Sequence, residues 1–411
     1  MRDSAIAADI AASLRRLPAG HQLAVQVVHT ADIETDPLTP RRRRPHFYTS
    51  RTLARRVLVL VSEGACLVAG LEAREFTTLS AEVRGDRTLH ASAAVDACIE
   101  KVDTSGALST RMPLAQMLVA GYLCSLQKYS KALDIPSVGV HLFARAQHEY
   151  LFARSRENPS KHALDDLALV KWWRRTLGLG LAYAASTVSS SLHGATDGQT
   201  AHCPASRIAA HCAVPGADRS EAPAFLGTPD STGGPGTPAV DWTWGLPYAA
   251  EARAHDCVLQ FPDDPATRLL AEPHSSGWSV AMLLEMLAVS EECGSGHRTA
   301  YFSATLPMAS LAPAQADGAA SSSEAVDQGA LSAEDYDNVL VALFDRDMDF
   351  SCADGAMRSS RRLADALAAV PVAPAVAVST SGPAASRSSG AAAAPPINDL
   401  TAAIRKKRKV N

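Results

Sequence analysis

Lysine is scarce in this chain: there are only eight lysines among 39 basic residues in 411. The formal net charge is −4 and charged residues make up 20% of the chain, so no excess of one sign pulls it toward nucleic acid or a membrane. The eight cysteines form no CxxC pair, and a chain this long needs no disulfide staples. Free thiols in a reducing compartment are expected. No apolar run reaches the roughly 18–20 residues of a spanning helix. The N-terminal MRDSAIAADIAASLRRL holds Asp3 and Asp9 and lacks the unbroken apolar stretch of a secretory signal. A soluble, intracellular protein is the expectation. GxGxxG and Walker motifs are absent, which leaves little support for a dinucleotide or nucleotide-triphosphate enzyme.

What is present is a 47% hydrophobic, alanine-rich sequence able to bury a large core. Residues 1–16 read as an amphipathic helix and LAVQVVHT as a strand. RRRRPHFYTS (41–50) reads as a loop, the β-branched run from 54 to 84 as strands, and VDACIEKVD (95–103) as a short strand. STRMPLAQMLVAGYLCSLQKY predicts a capped helix, SVGVHLFA (137–144) a strand, and 163–185 a second strong helix. Further on, 278–293 and 331–344 read as helices and 297–308 as a strand. Strands interleaved with helices predict an α/β (α+β) fold: a central mixed sheet surrounded by helices. The domain falls at 1–185 and 240–370, interrupted by a Ser/Gly/Pro-rich insertion at 186–239 expected to be disordered. Residues 371–411 read as a disordered tail.

Several patterns invite chemistry. RKKRKV (405–410) concentrates three of the eight lysines and reads as a nuclear import signal; the competing reading is a solvated tail. RTLGLG (175–180) matches the R-x-x-G-x-G pyrophosphate loop of N-acetyltransferases, but helical periodicity runs through it and favours a chance match. His202, Cys203, His211 and Cys212 have zinc-ligand chemistry, yet adjacent ligands fit one tetrahedron badly, and no metal is expected. Adjacent Trp172 and Trp173 diverge by about 100° on a helix. One of the two would then line a pocket or a second packed face. The STRMP helix start, with Arg111, makes a ready anion site, and Arg145 offers a second cation. FPDDPATR holds Asp263 and Asp264 between two prolines; Asp264 suits an N-cap and Pro265 a first helical residue.

VDTSG (102–106), YLFARSRENPSKHALDDLALVKWW (150–173), WTWGLPY (242–248) and FPDDPATR (261–268) together resemble the fungal histone H3 acetyltransferases that modify lysine 56 of H3. That family is similar in fold, not in sequence, to the CREB-binding-protein acetyltransferases. The resemblance is patchy over roughly residues 40–370. It implies transfer of an acetyl group from acetyl-CoA to lysine in the nucleus, on histone H3–H4 presented by histone chaperones. It implies neither a metal, nor sequence-specific nucleic acid, nor a membrane. Asp264 is then the acid/base, supported by Asp263; Tyr150 lies near it, Trp173 lines the substrate-lysine tunnel, and Asp103 is also needed. Acetyl-CoA is implied to contact Val102, Asp103 and Thr104; Arg111, Met112, Pro113, Leu114 and Ala115; Phe143 and Arg145; His162, Ala163 and Leu164; and Trp172. Like charge from Asp263 and burial are both expected to raise the Asp264 carboxyl.

Two departures matter. Ala266 stands where autoacetylating members carry a lysine. The segment between Ala115 and Phe143 is also short, where some members have a long loop associated with chaperone contact.

Overall fold

The run ARRVLVLVSE has apolar side chains at every position from 57 to 61, and both alternating sets are used. Val57, Val59 and Val61 enter the principal core; Leu58 and Leu60 enter a second one. A strand points successive side chains to opposite faces, so this strand is covered on both sides.

The computed structural model describes residues 2–39, 48–84, 87–108, 112–192, 207–227, 238–294, 298–307 and 329–383. In chain order the elements are α1 (Arg2–Leu14), β1 (Gln22–His29), β2 (Ile33–Thr35), β3 (Tyr48–Glu63), β4 (Cys66–Arg84), β5 (Arg87–Thr104) and α2 (Leu114–Ala132). β6 (Ser137–Arg145), α3 (Asp166–Leu192), β7 (Ile208–Ala213), α4 (Ala222–Leu226), β8 (Val240–Trp244), α5 (Ala254–Cys257) and α6 (Pro265–Ala271) follow. The remainder are α7 (Val280–Val289), α8 (Glu291–Gly294), β9 (Thr299–Pro307), α9 (Ala333–Leu343), α10 (Ala353–Ala368) and β10 (Val376–Ser379).

The strands form one mixed sheet in the order β10-β1-β3-β4-β5-β6-β9-β7-β8, with β2 paired to β3. Most neighbours are antiparallel; β5–β6 and β7–β8 are parallel. A parallel pair needs a crossover, and α2 supplies it between β5 and β6. The expected α/β architecture of helices around a mixed sheet is what the chain adopts.

One face of the sheet is covered by α1, α2 and α3, through residues such as Ile10, Leu14, Leu118, Tyr122, Val170 and Leu181. These helices approach closely at glycines. A Cβ on Gly121 would lie 2.5 Å from the Ile10 Cα in α1, and one on Gly180 would lie 2.9 Å from Leu123 Cδ1 in α2. Gly180 therefore serves helix packing, and RTLGLG lies wholly within α3 rather than in a phosphate loop. The opposite face carries α9 and α10 over β3 and β4, and the α5–α7 unit over β6 and β9.

Parity on β6 and β9 then sets the site. Val138, Val140, Leu142 and Ala144 face the α1–α3 core, as do Ala300, Phe302, Ala304 and Leu306. His141, Phe143 and Arg145, with Tyr301 and Ser303, therefore point to the other face.

Three expectations need correction. The segment 186–239 is not an unstructured insertion throughout. Helix α3 runs to Leu192, and β7 lies inside the sheet between β9 and β8. In IAAHCA, Ile208, Ala210 and Cys212 are buried, and the small alanines hide this alternation from a compositional reading. His211 and Cys212 consequently point to opposite faces. The tail is ordered at its start: β10 pairs with β1, and Thr380 and Gly382 bond back to His21 and Leu17. Finally, β5 is 18 residues long rather than a short strand, because it pairs along the length of β4. The basic segments 41–47 and 405–410 lie outside the described residues.

Candidate active site

Phe261 is buried, and the chain turns at Asp263, whose φ of 61° lies in the left-handed region that aspartate tolerates better than most residues. The turn separates the two carboxylates. Asp263 is 90% exposed at its side chain and pairs with Arg268 at 2.5 Å. Asp264 turns inward as the N-cap of α6, with its Oδ1 accepting from the Ala266 amide at 2.7 Å and Pro265 in the first turn. Tyr301 donates its hydroxyl to the same Oδ1 at 3.4 Å. Burial lifts the Asp264 carboxyl from its ordinary value to about 6, against the opposing pull of these hydrogen bonds. The rise comes first from burial. Asp263, turned to solvent beside its own arginine, is not its source.

Asp103 sits at the end of β5, buried, and its acceptor capacity is engaged. Oδ1 takes the Lys161 ammonium at 2.7 Å and the Thr104 amide at 2.9 Å. Oδ2 takes the amides of Tyr150 at 2.9 Å and Leu151 at 3.0 Å. Lys161 also donates to Ser155 Oγ at 2.6 Å. This carboxylate is committed to shaping the 150–161 loop. It fixes the Tyr150 amide and also lines the first of the clefts described below.

Tyr150 is held at both ends. Its amide is on Asp103, its hydroxyl donates to the Arg145 carbonyl at 2.6 Å, and the Gln147 amide donates to that hydroxyl at 3.1 Å. Burial pushes the phenol up to about 12, so it stays protonated.

Two clefts meet at this tyrosine. The first, about 370 Å³, is lined by Val102, Asp103, Thr104, Met112, Pro113, Leu114, Ala115, Tyr150, His162, Ala163, Leu164 and Trp172. Apart from Tyr150, these are among the residues expected around acetyl-CoA, brought together from β5, the start of α2, the loop after Tyr150 and α3. The N-terminal turn of α2 opens into this cleft without a side-chain cap; Leu114 donates its amide to the Met112 carbonyl, and the next two amides, of Ala115 and Gln116, are available to an anion. Arg111 lies outside the described residues.

The second cleft, about 400 Å³, holds Asp263, Asp264, Tyr150, Phe143, Arg145, Arg268 and Leu340, with a charged floor from β3–β5 at Arg56, Glu72, Arg74, Glu100 and Lys101. Phe143 and Arg145 thus stand on the Asp264 side rather than in the first cleft. Gln147 and Tyr150 line both. Behind Asp264 lies a small, largely apolar slot of about 50 Å³, walled by Phe143, Tyr248, Phe261, Leu283, Leu287 and Tyr301.

The tryptophans divide as their spacing predicts. Trp172 lines the first cleft, and Trp173 is buried in the principal core, packed edge-on against Trp172 at 4.8 Å. Trp173 lines none of these three cavities, while Phe143 and Tyr150 line the one that holds Asp264. Sequence reasoning missed Lys161, Gln147 and Tyr301. Lys161 was within reach, lying in the quoted block beside His162. Tyr301 was visible only as a strand residue.

Residues 133–366 match the model of the histone acetyltransferase KAT11-type domain. Two curated proteins, both described as histone acetyltransferase rtt109, are similar in sequence. The one from Aspergillus flavus is 29% identical over 48% of this chain and 40% of its own length. The one from Schizosaccharomyces pombe is 27% identical over 41% of this chain and 42% of its own. The chain thus spans about two fifths of the length of the curated relatives it matches. In fold, it is similar to the crystal structure of Rtt109 from Aspergillus fumigatus, with a TM-score of 0.61 at 22% identity over 91% of this chain and 99% of that one. With the family model matching more than half of its 411 residues, the chain belongs to the histone acetyltransferase KAT11-type family.

Proposed function

We propose that the protein is an acetyl-CoA-dependent lysine acetyltransferase acting on histone H3, with lysine 56 as its target. The observation that carries this reading is the meeting of the two clefts at Tyr150. One is ringed by the residues that suit acetyl-CoA, and the other ends at a buried carboxylate. The α2 amides and the first cleft receive the phosphates and pantetheine; the second receives the acceptor lysine.

A free lysine has a pKa of about 10.4 and an aspartate about 3.9, so the carboxylate is a poor base in water. Burial narrows the gap from the carboxyl side, to about 6. Desolvating the amine narrows it from the other. Asp264 takes the ammonium proton and orients the freed amine, whose lone pair attacks the thioester carbonyl carbon. A C–N bond forms, the C–S bond breaks, and the thiolate leaves to be protonated from solvent. Phe143 and Tyr150 limit water at the point of attack.

H3–H4 presented by a chaperone and action in the nucleus belong to the same reading, with residues 405–410 as the import signal. Asp264→Asn should abolish transfer to H3–H4 while acetyl-CoA still binds. Mass spectrometry of H3 identifies the modified lysine, and wild-type turnover in that variant would refute the assignment. Deleting residues 405–410 should disperse a tagged protein from the nucleus; unchanged nuclear accumulation would remove the import reading.

A further inference from the structure

We infer that Tyr301 is a positioning residue for Asp264: its hydroxyl holds the carboxylate in the ionised, inward-facing state in which it can accept the ammonium proton. The inference rests on the acid/base reading of Asp264 and adds a partner from β9.

The geometry comes from three elements. Position 301 lies on the β9 face opposite the α1–α3 core, and its ring packs on Phe143 of β6 with centroids 4.8 Å apart. The phenol then reaches Asp264 Oδ1 at 3.4 Å, the oxygen already bound by the Ala266 amide at 2.7 Å. One oxygen is thereby anchored by donors from both α6 and β9. The cap alone fixes the carboxylate against its own helix; the phenol fixes it against the sheet that carries Phe143 and Arg145.

Other ionisable groups around the carboxylate do not duplicate this part. From its own helix comes Arg268, already bonded to Asp263. From β5 come Cys98, whose thiol burial pushes well up, and Glu100, paired with Arg74. From β6 come Arg145 in the cleft and His141 in the slot, the latter bonded to Asp96 and Ser303. Tyr150 lines the cleft with its hydroxyl on the Arg145 carbonyl, and Tyr248 lines the slot. Burial also raises the Tyr301 phenol well above its ordinary value, so it donates at every pH of interest.

Tyr301→Phe keeps the ring on Phe143 and removes only the donor. Losing one hydrogen bond to a charged group raises the carboxyl by about one unit. The acid limb of the kcat profile should move to higher pH. Transfer should fall about five- to eightfold at pH 5.5 and under about 1.5-fold at pH 8, with KM for acetyl-CoA unchanged. Replacing Tyr301 with 3-fluorotyrosine strengthens the donor and should move the limb the other way. Titration of the Asp264 carboxyl by carbon NMR in both variants reads the same shifts without turnover. An unmoved carboxyl titration, or an equal loss at every pH, would overturn the inference. Activity in Asp264→Asn would instead overturn the acid/base reading beneath it.

Discussion

At the scale of single residues, the most consequential is a carboxylate that the fold makes uncomfortable. The unfolded Asp264 titrates near 3.9 and the folded one near 6. Between those values the native state binds more protons than the unfolded chain, so this group lowers stability as pH rises from 4 to 6, and its full cost is present above 6. Asn caps a helix as well as Asp does and carries no charge. Asp264→Asn should therefore be inactive and more stable at pH 7, by on the order of 1–2 kcal/mol after allowance for its partial exposure to the cleft. Urea unfolding at pH 7 and pH 4.5 measures this, and the gain should shrink to about a third at the lower pH. Catalysis runs the opposite way: transfer by the wild type should fall about tenfold between pH 7 and pH 5 as the base protonates. Asp103 poses a different problem. Its partner Lys161 is buried with it, so Asp103→Asn strands an ammonium and should cost about 3–5 kcal/mol. Adding Lys161→Met should restore part of that loss, which a double-mutant cycle by chemical unfolding reads directly.

At the scale of elements, the closest packing is the crossing of α1 and α2. Gly121→Ala places a methyl 2.5 Å from backbone that cannot yield like a side chain. It should destabilise by about 1–3 kcal/mol, seen as a lower Tm, with the acetyl-CoA cleft intact. This scale also explains what the sequence disclosed. Long periodic elements such as α2, α3, β6 and β9 were legible, and so was the start of α2 as an anion site; the rest of the cluster around the first cleft came only from the family resemblance. β7 was not: six residues rich in alanine, flanked by Ser- and Gly-rich segments, show no pattern until a sheet buries every second one. Tyr301 was hidden for a related reason. Its importance depends on which face of β9 meets α6, and that follows from pairing between segments more than 150 residues apart, with β6 and β9 side by side. The separation of Asp263 from Asp264 turns on one positive φ, which residue type alone does not announce.

At the scale of the whole molecule, residues 373–382 close the open edge of the sheet. β10 covers β1, Gln26 donates to the Ala373 carbonyl at 2.7 Å, and the backbone of Ser381 and Gly382 bonds to Arg15 and Leu17. Ending the chain at residue 372 should lower Tm and promote self-association through β1, since an uncovered strand edge pairs readily. At low temperature the acetyl-CoA affinity should persist, because no residue of this latch lines either cleft. Calorimetry and light scattering test the pair of outcomes.

Tyr150 is a shared wall, pinned by Asp103 on one side and by the Arg145 carbonyl on the other. An occupant of one cleft that shifts this ring changes the shape of the other. The affinities of the two occupants are thus linked, and each must alter the other's by the same factor. Acetyl-CoA titrations with and without a saturating acceptor should yield different dissociation constants, and Tyr150→Ala should bring them together.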